Sequence, residues 1–159
     1  MPELSDSVQE FKGPYELDEQ IGFLLRKALQ RNTEVFFSLM PSELTPTRFA
    51  VLAKLYEMGS LSQNELGRHT AMDVATTKGV VERLGKLGFV QTQKDPKDAR
   101  KLIIKLTQTG EDTYSSITQT ALEVSAKTLG ALSHEDAALL IALLKKMNIT
   151  ATSGDKTIE

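Results

Sequence analysis

Leu17, Ile21, Leu24, Leu25 and Ala28 recur three and four residues apart, the spacing that puts side chains on one face of a helix. The pattern predicts a long helix from near Glu16 through Val35, Phe36 and Phe37. Met40-Pro41 stops it, because proline disfavours helical geometry in the residue before it. Thr45-Pro46 supplies an N-cap hydroxyl and then a proline at the first helical position, where a missing N–H is harmless. A second helix follows to about Met58, with Phe49, Leu52 and Leu55 inward, and Gly59 ends it. Ser62 and Glu65 form a capping box that opens a short third helix, Ser62 to about His69. Asp73 caps a fourth, whose apolar Val80, Val81, Leu84 and Leu87 share one face. Ala75, Thr76, Gly79, Arg83 and Lys86 are left mostly outward, and Gly88 terminates the helix.

From Phe89 the period shortens. Val90–Lys94 and Lys101–Leu106 are β-rich segments on either side of Asp95-Pro-Lys-Asp-Ala-Arg100, which is hairpin-loop chemistry. Thr107 caps a fifth helix running to about Gly130, and Ser133 opens a sixth striped by Leu140, Leu143, Leu144 and Met147. Residues 1–14, with Pro2, Gly13 and Pro14, are expected to form a flexible arm, as is the polar tail from Thr150 to residue 159. The whole predicts a mainly α fold with a small β-hairpin, and the order helix, short helix, helix, hairpin is that of a winged helix-turn-helix flanked by further helices.

Composition narrows the classes. At 159 residues and 40% apolar content the chain supports one domain, 1–159. With no cysteine there is no disulfide, thiol switch, nucleophilic Cys or thiolate metal site. His69 and His134 lie far apart without metal-ligand spacing, so neither a metal nor another cofactor is expected. The longest apolar run, Ala137–Leu144, is too short to span a bilayer. Met1–Glu10 has neither the cationic start nor the apolar centre of a secretory signal, and a cytoplasmic location is expected. The motifs of hydrolases, zinc proteases, phosphate loops and dinucleotide sites are absent, so an enzyme is not expected.

The formal net charge of -2 argues at first against a nucleic-acid partner, but its distribution reverses that. Residues 45–106 hold eleven basic side chains against six acidic ones, whereas the remainder holds eight against fifteen. Lys94, Lys97, Arg100 and Lys101 crowd the hairpin tip, and Lys78, Arg83 and Lys86 lie on the helix just before it. A basic module between acidic flanks fits a DNA-reading face. The same segment also suits a winged-helix module that binds protein, for which the basic hairpin is incidental.

These features together resemble the MarR family, the multiple-antibiotic-resistance type of bacterial transcription regulator, over roughly Leu17 to Met147. The most specific likeness is the wing, Asp95-Pro-Lys-Asp98-Ala-Arg100-Lys101, followed by Leu106-Thr107-x-x-Gly110. Leu44–Leu52, Ser62–Gly67, Val80–Leu84 and Gly88-Phe89-Val90 are also similar. The resemblance implies double-stranded DNA as partner, with the fourth helix in the major groove and Asp73, Val74, Ala75, Thr76, Lys78 and Arg83 near it. Val74 and Ala75 suit a thymine methyl, Thr76 a base edge or phosphate, and Lys78 a phosphate; Asp73 equally suits simple helix capping. Ser62, Gln63 and Asn64 resemble the family's backbone contacts, with Ser62 equally explained as a cap. In the wing, Lys97 and Lys101 flank Arg100, which suits a narrow minor groove, with Asp98 holding its pose. Family members often carry a larger residue at Gly79, which leaves the base preference open.

The helices flanking the winged lobe, 15–44 and 107–149, carry more apolar surface than the lobe can cover, and the family likeness points the same way. A homodimer reading a pseudo-palindromic operator is expected. The resemblance also implies a small organic effector in the cleft between lobe and dimerisation helices. Leu17–Arg26 and Met72–Gly79 are most similar to regulators of aromatic-acid catabolism, which respond to phenolic acids or their coenzyme A thioesters, so a small aromatic acid or its thioester is the expected effector. Arg26, Arg31 and Arg48 are the cations suited to the acid, with Phe23 and Phe49 as apolar walls. Paired with Glu16, Glu19, Glu34 or Glu43, the same arginines would be structural, and both Phe residues would be core. Repression is the expected mode.

Overall fold

The computed structural model describes residues 13–149; the arm and tail expected at residues 1–12 and 150–159 lie outside the described residues. Six helices and one hairpin follow the predicted order. One difference comes at the start. The helix predicted from near Glu16 is interrupted: a single 3-10 turn, Leu17–Glu19, precedes α1 (Ile21–Leu39), and Gln20 between them is extended. Gln20 closes that turn twice, its backbone N–H donating to Leu17 O at 3.0 Å and its Nε2 to Glu16 O at 2.9 Å. Its own carbonyl then receives Leu24 N–H as the first bond of α1.

Met40, extended before Pro41, ends α1 as expected. Helix α2 (Pro46–Met58) begins at Thr45, whose side chain accepts Arg48 N–H, and stops at Gly59, where φ is +83°. Both bonds of the Ser62–Glu65 capping box form at the start of α3 (Gln63–Thr70), with Ser62 N–H to Glu65 Oε2 at 2.7 Å and Glu65 N–H to Ser62 Oγ at 3.3 Å. These bonds hold the Glu65 carboxyl below the usual carboxylate range. Helix α4 (Val74–Lys86) is followed by Leu87 and then Gly88, whose φ is +77°.

Strands β1 (Val90–Lys94) and β2 (Leu102–Leu106) pair antiparallel, Val90 opposite Leu106 and Lys94 opposite Leu102. Leu61 adds a third edge by exchanging both backbone bonds with Ile104, at 3.0 and 2.7 Å. This ties the α2–α3 connection to the wing. Thr107 caps α5 (Gln108–Thr128), and Ser133 caps α6 (His134–Ile149) by accepting Asp136 N–H at 3.1 Å.

The core of the winged lobe is aliphatic. Leu44, Val51, Leu52, Leu66 and Leu84 are sealed from solvent, with Leu55, Leu61, Val81, Phe89, Val90 and Ile104 around them. Phe36, Met40, Ile117 and Val124 continue it between α1 and α5. Helix α6 makes no extended contact with the rest of the described chain. Its Leu139, Leu140, Ile141, Leu143 and Met147 are exposed, as are Ile21, Leu24, Leu25 and Leu29 of α1.

One close approach fixes α5 to the lobe. A Cβ on Gly110 would overlap the Phe89 carbonyl, so only glycine fits there. Gly110→Ala forces backbone apart rather than a flexible side chain, at a cost of about 3 kcal/mol. Thermal denaturation should show a Tm lower by roughly 6–12 °C; an unchanged Tm would mean this junction yields freely.

Candidate nucleic-acid interface and effector cleft

Helices α3 and α4 meet through a tight turn. Ala71 adopts left-handed geometry at φ 54°, and Gly67 leaves room for it, since a Cβ there would come within 3.0 Å of Met72 O and 3.1 Å of Thr77 Oγ1. Thr77 is fully buried, and its hydroxyl donates to Asp73 O at 2.7 Å. Buried Val80, Val81 and Leu84 then turn the opposite face of α4 outward, carrying Val74, Ala75, Thr76, Lys78, Gly79 and Arg83. Lys78 Nζ lies 3.9 Å from Glu82 Oε1, an exposed pair that leaves the ammonium free to turn to a phosphate.

Two of the residues nominated from sequence have their side chains engaged in capping. Asp73 Oδ1 accepts Thr76 N–H at 2.7 Å, and these bonds to Thr76 hold its carboxyl below the ordinary carboxylate range. Ser62 is likewise committed to Glu65. Both set helix N-termini, whose dipoles favour nearby phosphate. Gln63, Asn64, Asp73 and Val74 do come together, around a shallow cleft of about 390 Å³ between α3 and α4. Arg68 lines the same cleft and was missed in the sequence. Its position one turn beyond Asn64 on the same helix was the signal that could have found it.

The wing tip is held by its own backbone. Asp95 N–H donates to Lys101 O at 2.8 Å, Lys101 N–H to Asp98 O at 2.9 Å and Lys97 N–H to Asp95 Oδ1 at 2.8 Å. Asp98 Oδ1 accepts Arg100 N–H at 3.0 Å and lies 3.6 Å from Arg100 Nε. The carboxylate therefore orients the arginine without covering it, and the side chain of Arg100 is 95% exposed. Lys97 and Lys101 are exposed beside it.

The cleft between the lobe and the flanking helices is also present. It encloses about 190 Å³ and is lined by Asn32, Phe36 and Met40 of α1, Pro46 and Phe49 of α2, and Ala121, Val124 and Ser125 of α5. Of the five ligand candidates only Phe49 lines it. Phe23 and Arg26 lie on the exposed first half of α1, with the Lys27 ammonium 5.5 Å from the Phe23 ring centroid. Arg31 caps the C-terminus of α5, donating to Thr128 O at 3.0 Å and Lys127 O at 3.2 Å, and Arg48 Nη1 donates to the Glu43 carbonyl at 2.7 Å. Arg31 thus bonds to carbonyls of α5 rather than to a glutamate, and Arg48 does bond to Glu43, through its backbone carbonyl and not its carboxylate. Sequence reasoning missed Asn32, Phe36 and Ser125 because helical spacing marks inward positions without saying which of them border a gap.

Beside this cleft, the Tyr114 ring of α5 stands against α2, and burial, then the Glu57 carboxylate, pushes its phenol up, so it stays neutral at ordinary pH.

A capped recognition helix, a paired wing and an arginine held at the wing tip define a winged helix-turn-helix DNA-binding protein. Comparison with known proteins specifies the class. The MarR family model matches residues 44–102, the winged lobe. The HTH-type transcriptional repressor NicR of Pseudomonas putida is 39% identical over 135 residues, covering 84% of this chain and 85% of that protein. The crystal structure of a probable transcriptional regulator from Pseudomonas aeruginosa is 43% identical, covers 83% of this chain and 99% of its own, and superposes with a TM-score of 0.79. BpsR of Bordetella bronchiseptica, solved in a study of how 6-hydroxynicotinic acid regulates its DNA binding, is 36% identical with a TM-score of 0.81, covering 86% and 98% of the two chains. The chain belongs to the MarR family, and is a DNA-binding transcription regulator rather than an enzyme or a protein-docking winged helix.

With Arg100 read as the wing's minor-groove contact, Arg100→Ala should weaken binding to a specific duplex at least tenfold, because it removes an exposed guanidinium from the wing tip. Its exposure means Tm should stay within about 1 °C. Unchanged affinity in a gel-shift titration would remove Arg100 from the interface.

Proposed function

We propose that the protein is a homodimeric repressor that leaves a pseudo-palindromic operator when a monocyclic aromatic acid enters the α1–α2–α5 cleft. The cleft itself carries this reading: about 190 Å³, walled by the rings of Phe36 and Phe49, with the Asn32 amide and the Ser125 hydroxyl as polar points. That volume suits one substituted ring and falls below the roughly 300–1,000 Å³ of pockets for larger ligands. A coenzyme A thioester could place only its acyl ring inside. The likeness to BpsR, whose DNA binding responds to 6-hydroxynicotinic acid, supports the same ligand class, and the likeness to the repressor NicR supports repression.

Dimerisation rests on the exposed leucines and isoleucines of α1 and α6, a surface that a second copy would bury symmetrically. Residues 15–44 and 107–149 then form the scaffold, and residues 45–106 the reading lobe. Two recognition helices would meet half-sites about 10 base pairs apart. On each lobe Gln63, Asn64, Arg68, Thr76, Lys78 and Arg83 would face the groove and its phosphates, with Lys97, Arg100 and Lys101 reaching the adjacent minor groove. Release requires the effector to prefer a lobe spacing that mismatches the half-sites. A hundredfold loss of affinity corresponds to about 2.7 kcal/mol of differential binding, an ordinary allosteric coupling.

Calorimetry with 6-hydroxynicotinate, 4-hydroxybenzoate and an aromatic acyl-coenzyme A should show micromolar binding of a ring acid that also releases DNA. Ser125→Leu fills the cleft from an exposed helical position and should abolish that response with operator affinity kept within about threefold. No binding across the panel would overturn the ligand class, and a wild-type response in Ser125→Leu would overturn the site.

A further inference from the structure

Four aromatic rings from three helices meet along the seam between the reading lobe and the scaffold. Tyr114 of α5 lies between two rings of α2, 4.7 Å from Tyr56 at 39° and 5.8 Å from Phe49 at 31°. Phe49 and Tyr56 stand seven residues apart, two turns along one face of α2, so the Tyr114 ring is inserted between them like a wedge. Phe49 continues the stack to Phe36 of α1 at 6.2 Å and 63°. Phe49 and Phe36 are also walls of the effector cleft.

The place of Tyr114 along α5 gives the stack its meaning. Residues of the inner face of α5 meet the lobe first, at Gly110 against Phe89, and the scaffold later, where Ala121, Val124 and Ser125 border the α1 cleft and Asn32 Nδ2 donates to Thr128 Oγ1 at 3.0 Å. Tyr114 stands where that face passes from one to the other. A ring seated between two others cannot roll or slide along α2 without losing contact with one of them, and ring contacts depend on orientation as well as distance.

We infer that Tyr114 is a positioning residue that fixes the angle of the reading lobe on the scaffold, and with it the half-site spacing the protein accepts. Tyr114 does not itself line the cleft; it acts through Phe49, which does, and through Tyr56. A ring acid pressing on Phe49 from the cleft pushes against the same stack, which gives the effector its route to the lobe. The inference rests on the homodimer reading proposed above.

The test uses a duplex selected by the wild-type full chain from a random pool, and the same duplex with one base pair inserted between its half-sites. Wild type and Tyr114→Phe, which keeps the ring, should both bind the inserted duplex at least tenfold more weakly. Tyr114→Ala should discriminate less than threefold, and Tyr56→Ala, which removes the exposed outer ring, should fall between them. A purely structural role would lower Tm in these variants and leave the discrimination ratio intact. Undiminished discrimination in both alanine variants overturns the positioning role and leaves the homodimer reading standing. A wild-type protein indifferent to the inserted base pair overturns both.

Discussion

The junction of α5 with the Gly88-Phe89 turn is the contact on which the rest of the molecule depends. Thr107 donates from its hydroxyl to Gly88 O at 2.6 Å and from its backbone N–H to Phe89 O at 3.0 Å, and Gly110 lets the next turn of helix close onto the same carbonyl. Three things are fixed at once: the end of the recognition helix, the first residue of the wing and the start of the longest scaffold helix. A longer side chain at Gly110, or a less strict cap at Thr107, would let the reading lobe swing. The electrostatics of DNA recognition would then have nothing rigid to act from.

From that joint the charge distribution acquires a direction. The basic excess of residues 45–106 sits on α2, α4 and above all the wing, while the acidic excess sits on the flanking segments. Charge of one sign on a fixed lobe draws DNA to that lobe, and charge of the other sign discourages binding elsewhere. Affinity for phosphates comes from this field. Selectivity needs side chains held in place, and the wing shows how: Asp98 orients Arg100 from below while leaving it in solvent.

The elements and caps were legible in the sequence because they are written locally. Thr45-Pro46, Ser62 with Glu65, Asp73, Thr107 and the glycines at 59 and 88 are each short-range chemistry, and each stands where the spacing placed it. The break at Gln20 was not legible, because a stripe of apolar residues spans it and the turn is closed by backbone bonds and a side-chain bond of Gln20 back to Glu16 that no apolar spacing records. The cleft proposed for the effector was the least legible feature. Arginines were nominated for it on charge, yet Arg31 and Arg48 bond to backbone carbonyls, and the lining comes from Asn32, Phe36, Pro46 and Ser125. A gap between three helices is a property of how they pack, and helical periodicity records only that they do.

Whether two such lobes read DNA together is decided most directly by a hydroxyl-radical footprint on a specific duplex. Two equivalent wings predict a pair of symmetric minor-groove protections flanking half-sites about 10 base pairs apart, both lost together when the effector is added. A single protected tract from a folded, DNA-bound protein, or one half-site released without the other, would contradict it.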